Sequence, residues 1–197
     1  SSLVKANSND IFHELLAIYP ADIVYEIMSI ATLQIIKPHV TARRMAAHYR
    51  RTFVSIDYPS TALSENTISR LYQMIGQDGE KRFQFYQKRL SKVAQNHHIA
   101  IDGTLKQDNS VVNDLSAYSY KARVKGWKDI SVIYAYDIEL MEPVCAEVFP
   151  GNSIDATSYA AFIKDNDINK GIIMADKGFP PSKINTELND RPNLHFL

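Results

Sequence analysis

The chain has 197 residues, 45% of them hydrophobic, which is enough apolar content for one domain or two small ones to bury a core. Its 22 basic and 22 acidic side chains cancel, and the single cysteine, Cys145, excludes an internal disulfide and a multi-cysteine zinc centre. With no run of about 18 apolar residues and no charged leader before an apolar stretch, a membrane span and a secretory signal are not expected; a soluble intracellular protein is.

The neutral total hides a segmental imbalance. Residues 37–92 carry eleven Lys/Arg against four Asp/Glu, whereas residues 96–197 carry ten against fourteen. The basic stretch can attract a phosphate backbone, and the acidic stretch suits a site that holds cations on carboxylates. A solvated helix face is the commoner origin of such charge blocks.

In chain order, residues 1–95 read as helical. Apolar residues recur at three and four spacing in Ile11, Leu15, Leu16 and Ile18, then in Ile23, Ile27, Ile30 and Leu33, punctuated by Pro20 and Pro38. Thr41 is a candidate N-cap for a helix running to about Val54. Ser64 is another, with Thr67 standing where a capping box would place Glu or Gln. A further helix, about Glu80 to Gln95, is expected to bury Phe83, Phe85 or Tyr86, and Leu90 while presenting Lys81, Arg82, Lys88, Arg89 and Lys92. Five helices are therefore expected before residue 96.

The character changes at Asn96. Ile99-Ala100-Ile101 reads as a buried strand leading out at Asp102-Gly103-Thr104, followed by strands over Ser131–Tyr136 and Val144–Phe149 around a hairpin turn at Asp137-Ile138-Glu139. Cys145 falls in the third of these as ordinary strand packing. A helix over Asp155–Lys164, a strand over Gly171–Ala175, a helix opened by Pro181 and a strand from Leu194 complete the order βββαβαβ. The fold class is α+β: an all-helical N-terminal region, then a mixed sheet with helices against it over residues 96–197.

Asp102 and Asp176 each follow a short apolar run, Ile99-Ala100-Ile101 and Ile172-Ile173-Met174-Ala175, so each is expected at a strand end, where open α/β sheets place their sites. Gly103 and Gly178 follow within two residues and would permit a sharp exit. On neighbouring strands the two carboxylates would converge and hold hard divalent cations; on unrelated strands each would merely cap a turn.

Ile101-Asp102-Gly103-Thr104 and Ala175-Asp176-Lys177-Gly178-Phe179 resemble the two aspartate motifs of bacterial insertion-sequence DDE transposases. Between them Val148-Phe149-Pro150-Gly151-Asn152-Ser153-Ile154-Asp155 resembles the segment joining the third strand to the first helix of those enzymes. Tyr120-Lys121-Ala122-Arg123 through Val132 resembles their basic loop and second strand. The resemblance spans about residues 64–197, and Lys177 departs from it mildly, because arginine is common there. It implies a ribonuclease H-like fold in which Asp102, Asp176 and a later glutamate bind two Mg²⁺ or Mn²⁺ ions. Asp102 would bridge both ions and Asp176 would hold one. Such an enzyme hydrolyses a transposon end and then directs the freed 3′-hydroxyl at target DNA, acting as a homodimer on double-stranded DNA in the bacterial cytoplasm, at the nucleoid. Glu187 and Asp190 fall too early in the topology to be the third carboxylate. The chain is therefore expected to stop before it, to bind metal weakly and not to cut DNA by itself.

DNA recognition is expected from two places. The helix from Thr41, a linker of about nine residues containing Pro59, and the helix from Ser64 resemble a helix-turn-helix arrangement. Ile68, Leu71 and Ile75 would form its buried stripe; Asn66, Ser69 and Arg70 would face the major groove, with Arg43 and Arg44 nearby. A helical bundle supporting the sheet is the other reading. Lys121, Arg123, Lys125 and Lys128 interleave with Tyr118, Tyr120 and Trp127, a mixture suited to gripping phosphates and stacking a base, or to a plain solvated hairpin. Lys177 is a further DNA candidate, although lysine lacks the bidentate phosphate geometry of arginine. His97 and His98 read as strand-entry polar residues.

Two other functions compete. Ile101-Asp102-Gly103-Thr104-Leu105 also resembles the aspartate loop of haloacid dehalogenase-type phosphatases, but Ala100 stands where the nucleophile belongs. A non-catalytic DNA-binding or self-associating protein derived from a transposase fits the absent glutamate.

Overall fold

The computed structural model describes residues 10–110, 112–119, 121–122, 124–153, 156–175 and 190–197. The chain divides into two compact units, Ser1–Phe85 and Tyr86–Leu197, with the division falling inside a helix. The described helices of the first part are α1 (10–16), α2 (Ala21–Ile36), α3 (Ala42–Tyr49), α4 (Val54–Asp57), α5 (Glu65–Gln77) and α6 (Gly79–Ser91).

The apolar spacing of α2 puts Val24, Met28, Ile30 and Leu33 inside. Ile30 and Leu33 join Met45 and Tyr49 of α3, Val54 of α4 and Ile68 and Leu71 of α5 in one core, with Ile75 partly buried against it. Removing side chains of this size from water contributes about 1.5–3 kcal/mol each. Ser64 caps α5, its Oγ accepting the Thr67 N–H at 3.1 Å and lying 2.7 Å from the Thr67 hydroxyl, so threonine takes up the place of the expected Glu.

The helix from Thr41 does not run to Val54; it ends at Tyr49. The i→i+3 bonds from Arg51 N–H to His48 O and from Thr52 N–H to Tyr49 O tighten its end. The Thr52 and Ser55 hydroxyls then donate to the Tyr49 and Thr52 carbonyls, which diverts the backbone before α4 re-forms a turn. The connection between α3 and α5 is accordingly longer than the nine residues expected and contains a helix. It is stapled by Tyr49, whose hydroxyl donates to Tyr58 O at 2.6 Å and accepts from the Thr61 N–H at 3.1 Å.

Among the described residues of the second unit six strands form one mixed sheet: β1 (His98–Asp108), β2 (Ala117–Tyr118), β3 (Lys128–Asp137), β4 (Glu142–Pro150), β5 (Lys170–Ala175) and β6 (Asn193–Phe196), with α7 (Ala156–Asp165) between β4 and β5. The short β2 lay outside the sequence expectation. Across the sheet the strands run β3-β1-β5-β6, and β2 and β4 both pair with the outer edge of β3. The β1/β3 and β3/β4 pairs are antiparallel, while β5 is parallel to both β1 and β6. The helix expected from Pro181 lies outside the described residues.

Alternation along β1 and β3 buries Ile99, Ile101, Ile133 and Ala135 on one face, where they meet Phe162 and Ile163 of α7 and Leu90 and Val93. A register shift between Ala135 and Tyr136 lets β4 turn both Val144 and Cys145 inward. Burial raises the Cys145 thiol to about 12, as befits strand packing. Arg89 is not presented to solvent as expected: it is 4% exposed, and it donates to Glu142 Oε2 at 2.6 Å and to the Pro143 carbonyl. Phe83, conversely, is exposed. No helix among the described residues is long and apolar enough to cross a membrane.

Candidate metal and nucleic-acid site

Asp102 sits within β1 rather than beyond its end. Pairing with β3 carries β1 on for six residues past it, from Gly103 opposite Ile133 to Asp108 opposite Lys128. Polar residues Lys106 and Gln107 weaken the apolar signal there, but a ten-residue partner strand fixes the backbone regardless. Gly103 is thus not a sharp exit. A Cβ on it would stand 3.0 Å from the Tyr159 hydroxyl of α7, so glycine here gives α7 room to approach.

On its other side the first half of β1 pairs with β5. The β1/β5 register runs His98↔Ile172, Ile99↔Ile173, Ala100↔Met174 and Ile101↔Ala175. Asp102 and Asp176 are the next residues of the two strands in sequence. Asp176 and Lys177 lie outside the described residues, as do Arg123 and Tyr120 of the basic segment.

The Asp102 carboxylate is exposed and held from two sides. Its Oδ1 accepts the Gly103 N–H at 2.8 Å and its Oδ2 accepts the Tyr134 hydroxyl at 3.0 Å. Tyr134 is directly opposite Asp102 in β3. Accepting that hydrogen bond, the carboxylate raises the Tyr134 phenol above its ordinary value; partial burial and the negative charge of Asp102 add to the effect. Around them Ala100, Val148 and Met174 share the same face of the sheet, Val148 and Met174 exposed. Two oxygens fixed in direction and open to solvent are suited to a hard cation, with the phenol as a donor for a ligand oxygen bound nearby.

The Pro150-Gly151-Asn152 turn is explained by crowding. A Cβ on Gly151 would fall 2.0 Å from Asp129 O and 2.9 Å from Ala117 O, and the Gly151 N–H donates to Leu115 O at 3.2 Å. Backbones of β2, β3 and the end of β4 meet there, and only glycine fits. Beyond it the Ser158 hydroxyl of α7 donates to Ser153 O at 3.0 Å.

Of the basic candidates, Lys121, Lys125 and Lys128 are exposed, as are Tyr118 and Trp127, and the Lys128 ammonium lies 5.8 Å from the Tyr118 ring centroid. In the other unit Arg43 and Arg44 on α3 and Asn66, Ser69 and Arg70 on α5 are exposed. Sequence reasoning passed over Tyr134, whose only signal was its place in an alternating strand, and the surroundings of His97 and His98. His97 Nδ1 is 2.7 Å from Asp137 Oδ2, and His98 Nδ1 is 2.6 Å from Glu139 Oε1.

No family model and no curated protein matches the chain. Among solved structures it is similar to a Mos1 transposase paired-end complex with left transposon end, at 14% identity and a TM-score of 0.34, covering 87% of this chain and 57% of that one. A pre-cleavage Mos1 transpososome gives 14% identity and 0.35, covering 85% and 57%, and a Mos1 mariner paired-end complex with Mn gives 15% and 0.33, covering 85% and 56%. The chain thus spans little more than half of the chains it resembles.

Proposed function

We propose that this chain belongs to a DNA transposase of DDE type, with residues 96–197 forming part of a ribonuclease H-like catalytic domain and residues 1–95 contributing to DNA binding. The observation that carries the reading is the β1/β5 register. Ile101 and Ala175 are paired across two parallel neighbours, and the residue that follows each in sequence is aspartate. Asp102 and Asp176 are then the pair that holds two Mg²⁺ or Mn²⁺ ions about 3.5–4 Å apart, one activating water and the other stabilising the leaving oxygen. A third carboxylate would complete the ligand set from outside this stretch.

The ordered motifs at Asp102, Pro150-Gly151-Asn152 and Asp176 support the reading, as does an exposed basic and aromatic segment beside the sheet. Lys121, Arg123, Lys125 and Lys177 would contact DNA near the cut, and Arg43, Arg44, Asn66, Ser69 and Arg70 would hold the transposon end. The Mos1 structures are, by name, complexes with a transposon end and with Mn or Mg, and the partners inferred here are of the same kind. A homodimer on two transposon ends is the expected working form.

Mn²⁺ titration of wild type and Asp102→Asn tests the site. Weaker binding by the variant is expected, and equal binding removes the assignment. For DNA, Arg43→Ala with Arg44→Ala should lower affinity and flatten the slope of log affinity against log salt by roughly 0.9 for each phosphate that the two arginines neutralise. An unchanged slope counts against the first unit as the end-binding region.

A further inference from the structure

At the far end of β1 from Asp102, five residues or about 16 Å along the strand, stands a cluster with different chemistry. One ring nitrogen of His97 and one carboxylate oxygen each of Asp137 and Glu139 lie within 4.8 Å of one another, contributed by the entry to β1 and the β3/β4 hairpin. We propose that His97, Asp137 and Glu139 form a binding site for a divalent transition-metal ion of the zinc class, separate from the Asp102 site and independent of it.

The donor set points to the ion. One imidazole and two carboxylates match the nitrogen and oxygen ligands of borderline divalent ions, whereas all-oxygen sets suit Mg²⁺ and Ca²⁺. Charge points the same way. The Asp137 side chain is 0% exposed, and a second carboxylate lies beside it. One divalent cation between them offsets both negative charges.

Supporting bonds aim the ligands. Asp137 Oδ1 accepts the Leu140 N–H at 2.9 Å, which leaves Oδ2 for the cluster. Glu139 is oriented by the His98 N–H at 2.7 Å and the His98 ring at 2.6 Å. The backbone beneath is fixed on both sides: the Ile172 N–H donates to His97 O at 2.8 Å and the Ile138 N–H to His98 O at 3.0 Å. Partners of this kind set ligand direction in metal sites. Access exists, because the Glu139 side chain is 36% exposed and that of His97 16%. Bonds of about 2.0–2.2 Å in a tetrahedral site place ligand atoms roughly 3.3 Å apart. His97 Nδ1 and Asp137 Oδ2 therefore need to part only slightly from 2.7 Å.

The test is Co²⁺ titration of the untagged chain, followed by visible d–d absorption and displacement by Zn²⁺. Wild type should take up one equivalent with an absorption band that Zn²⁺ abolishes. Glu139→Gln, at the accessible hairpin, should weaken binding more than about tenfold. His97→Gln should do the same, and far-ultraviolet circular dichroism checks that each variant is folded. Asp102→Asn should leave the band unchanged. Absence of the band in wild type, or equal affinity in wild type, Glu139→Gln and His97→Gln, overturns the proposal. So does a band lost in Asp102→Asn and kept in Glu139→Gln, which would place the ion at the other end of the strand.

Discussion

The two ends of the described β1/β5 ladder handle carboxylates in opposite ways. At the entry, Asp137 is wholly buried, tied to a backbone N–H and an imidazole, beneath strands whose starts are hydrogen-bonded together. At the other end Asp102 is exposed, and among the described residues its neighbouring N–H and the Tyr134 hydroxyl donate to it. A buried carboxylate is costly unless it is fully partnered, so the first end is built into the fold. Of the second, exposed to solvent, the fold asks little.

Removing each carboxylate should give the largest contrast. Asp137→Ala strands the Leu140 N–H and the His97 ring, and should lower stability by about 2–4 kcal/mol in urea denaturation. Asp102→Ala should stay within about 1 kcal/mol, since water can take over its hydrogen bonds. Equal losses would erase the distinction between the two ends. The glycines offer a second, smaller contrast. Gly171 has φ of +110°, and a Cβ there would lie 2.9 Å from Ile99 Cδ1 and 3.2 Å from His97 O. Gly171→Ala should therefore cost about 1–3 kcal/mol. Gly103→Ala meets only the tip of Tyr159, and its melting temperature should fall less.

The smallest effect is spectroscopic. The Tyr134 phenol, raised by its bond to Asp102, should ionise later than an ordinary tyrosine in an ultraviolet pH titration, and Asp102→Asn should bring it down. A pKa raised in the folded state means that its contribution to stability is complete below the unfolded value near 10 and is lost as pH rises through the folded one. The variant should accordingly narrow the gap between wild-type and mutant stability only at alkaline pH. A titration unchanged by the substitution would disconnect Tyr134 from the site.

Much of this architecture was legible in apolar spacing. The stripes of α2 and α5, the Ser64 cap, the β3/β4 hairpin and the strand leading to Ala175 follow from period and turn chemistry. What was not legible depended on hydrogen bonds that composition does not mark, most of them to distant partners. No glycine or proline marks the end of α3 at Tyr49, which local hydroxyl bonds impose. Arg89 reads as a surface charge until Glu142 and Pro143 surround it. The run of β1 past Asp102 is fixed by β3, and the meeting of His97 with Asp137 is a matter of register between strands forty positions apart. At the candidate site, Asp102 and the start of its setting were visible in sequence, whereas Tyr134 was not. The expectation for Asp176 falls outside the described residues.

The two residue pairs Ala117↔Asp129 and Tyr118↔Lys128 close the basic segment between β2 and β3 into a loop. The entropy of closing such a loop grows only with the logarithm of its length, about 0.6 kcal/mol per doubling. Residues can thus be added or removed between the two clasps with little effect on the sheet. A single scaffold can then carry a loop of varied length and charge at this edge while the strand bearing Asp102 stays as it is.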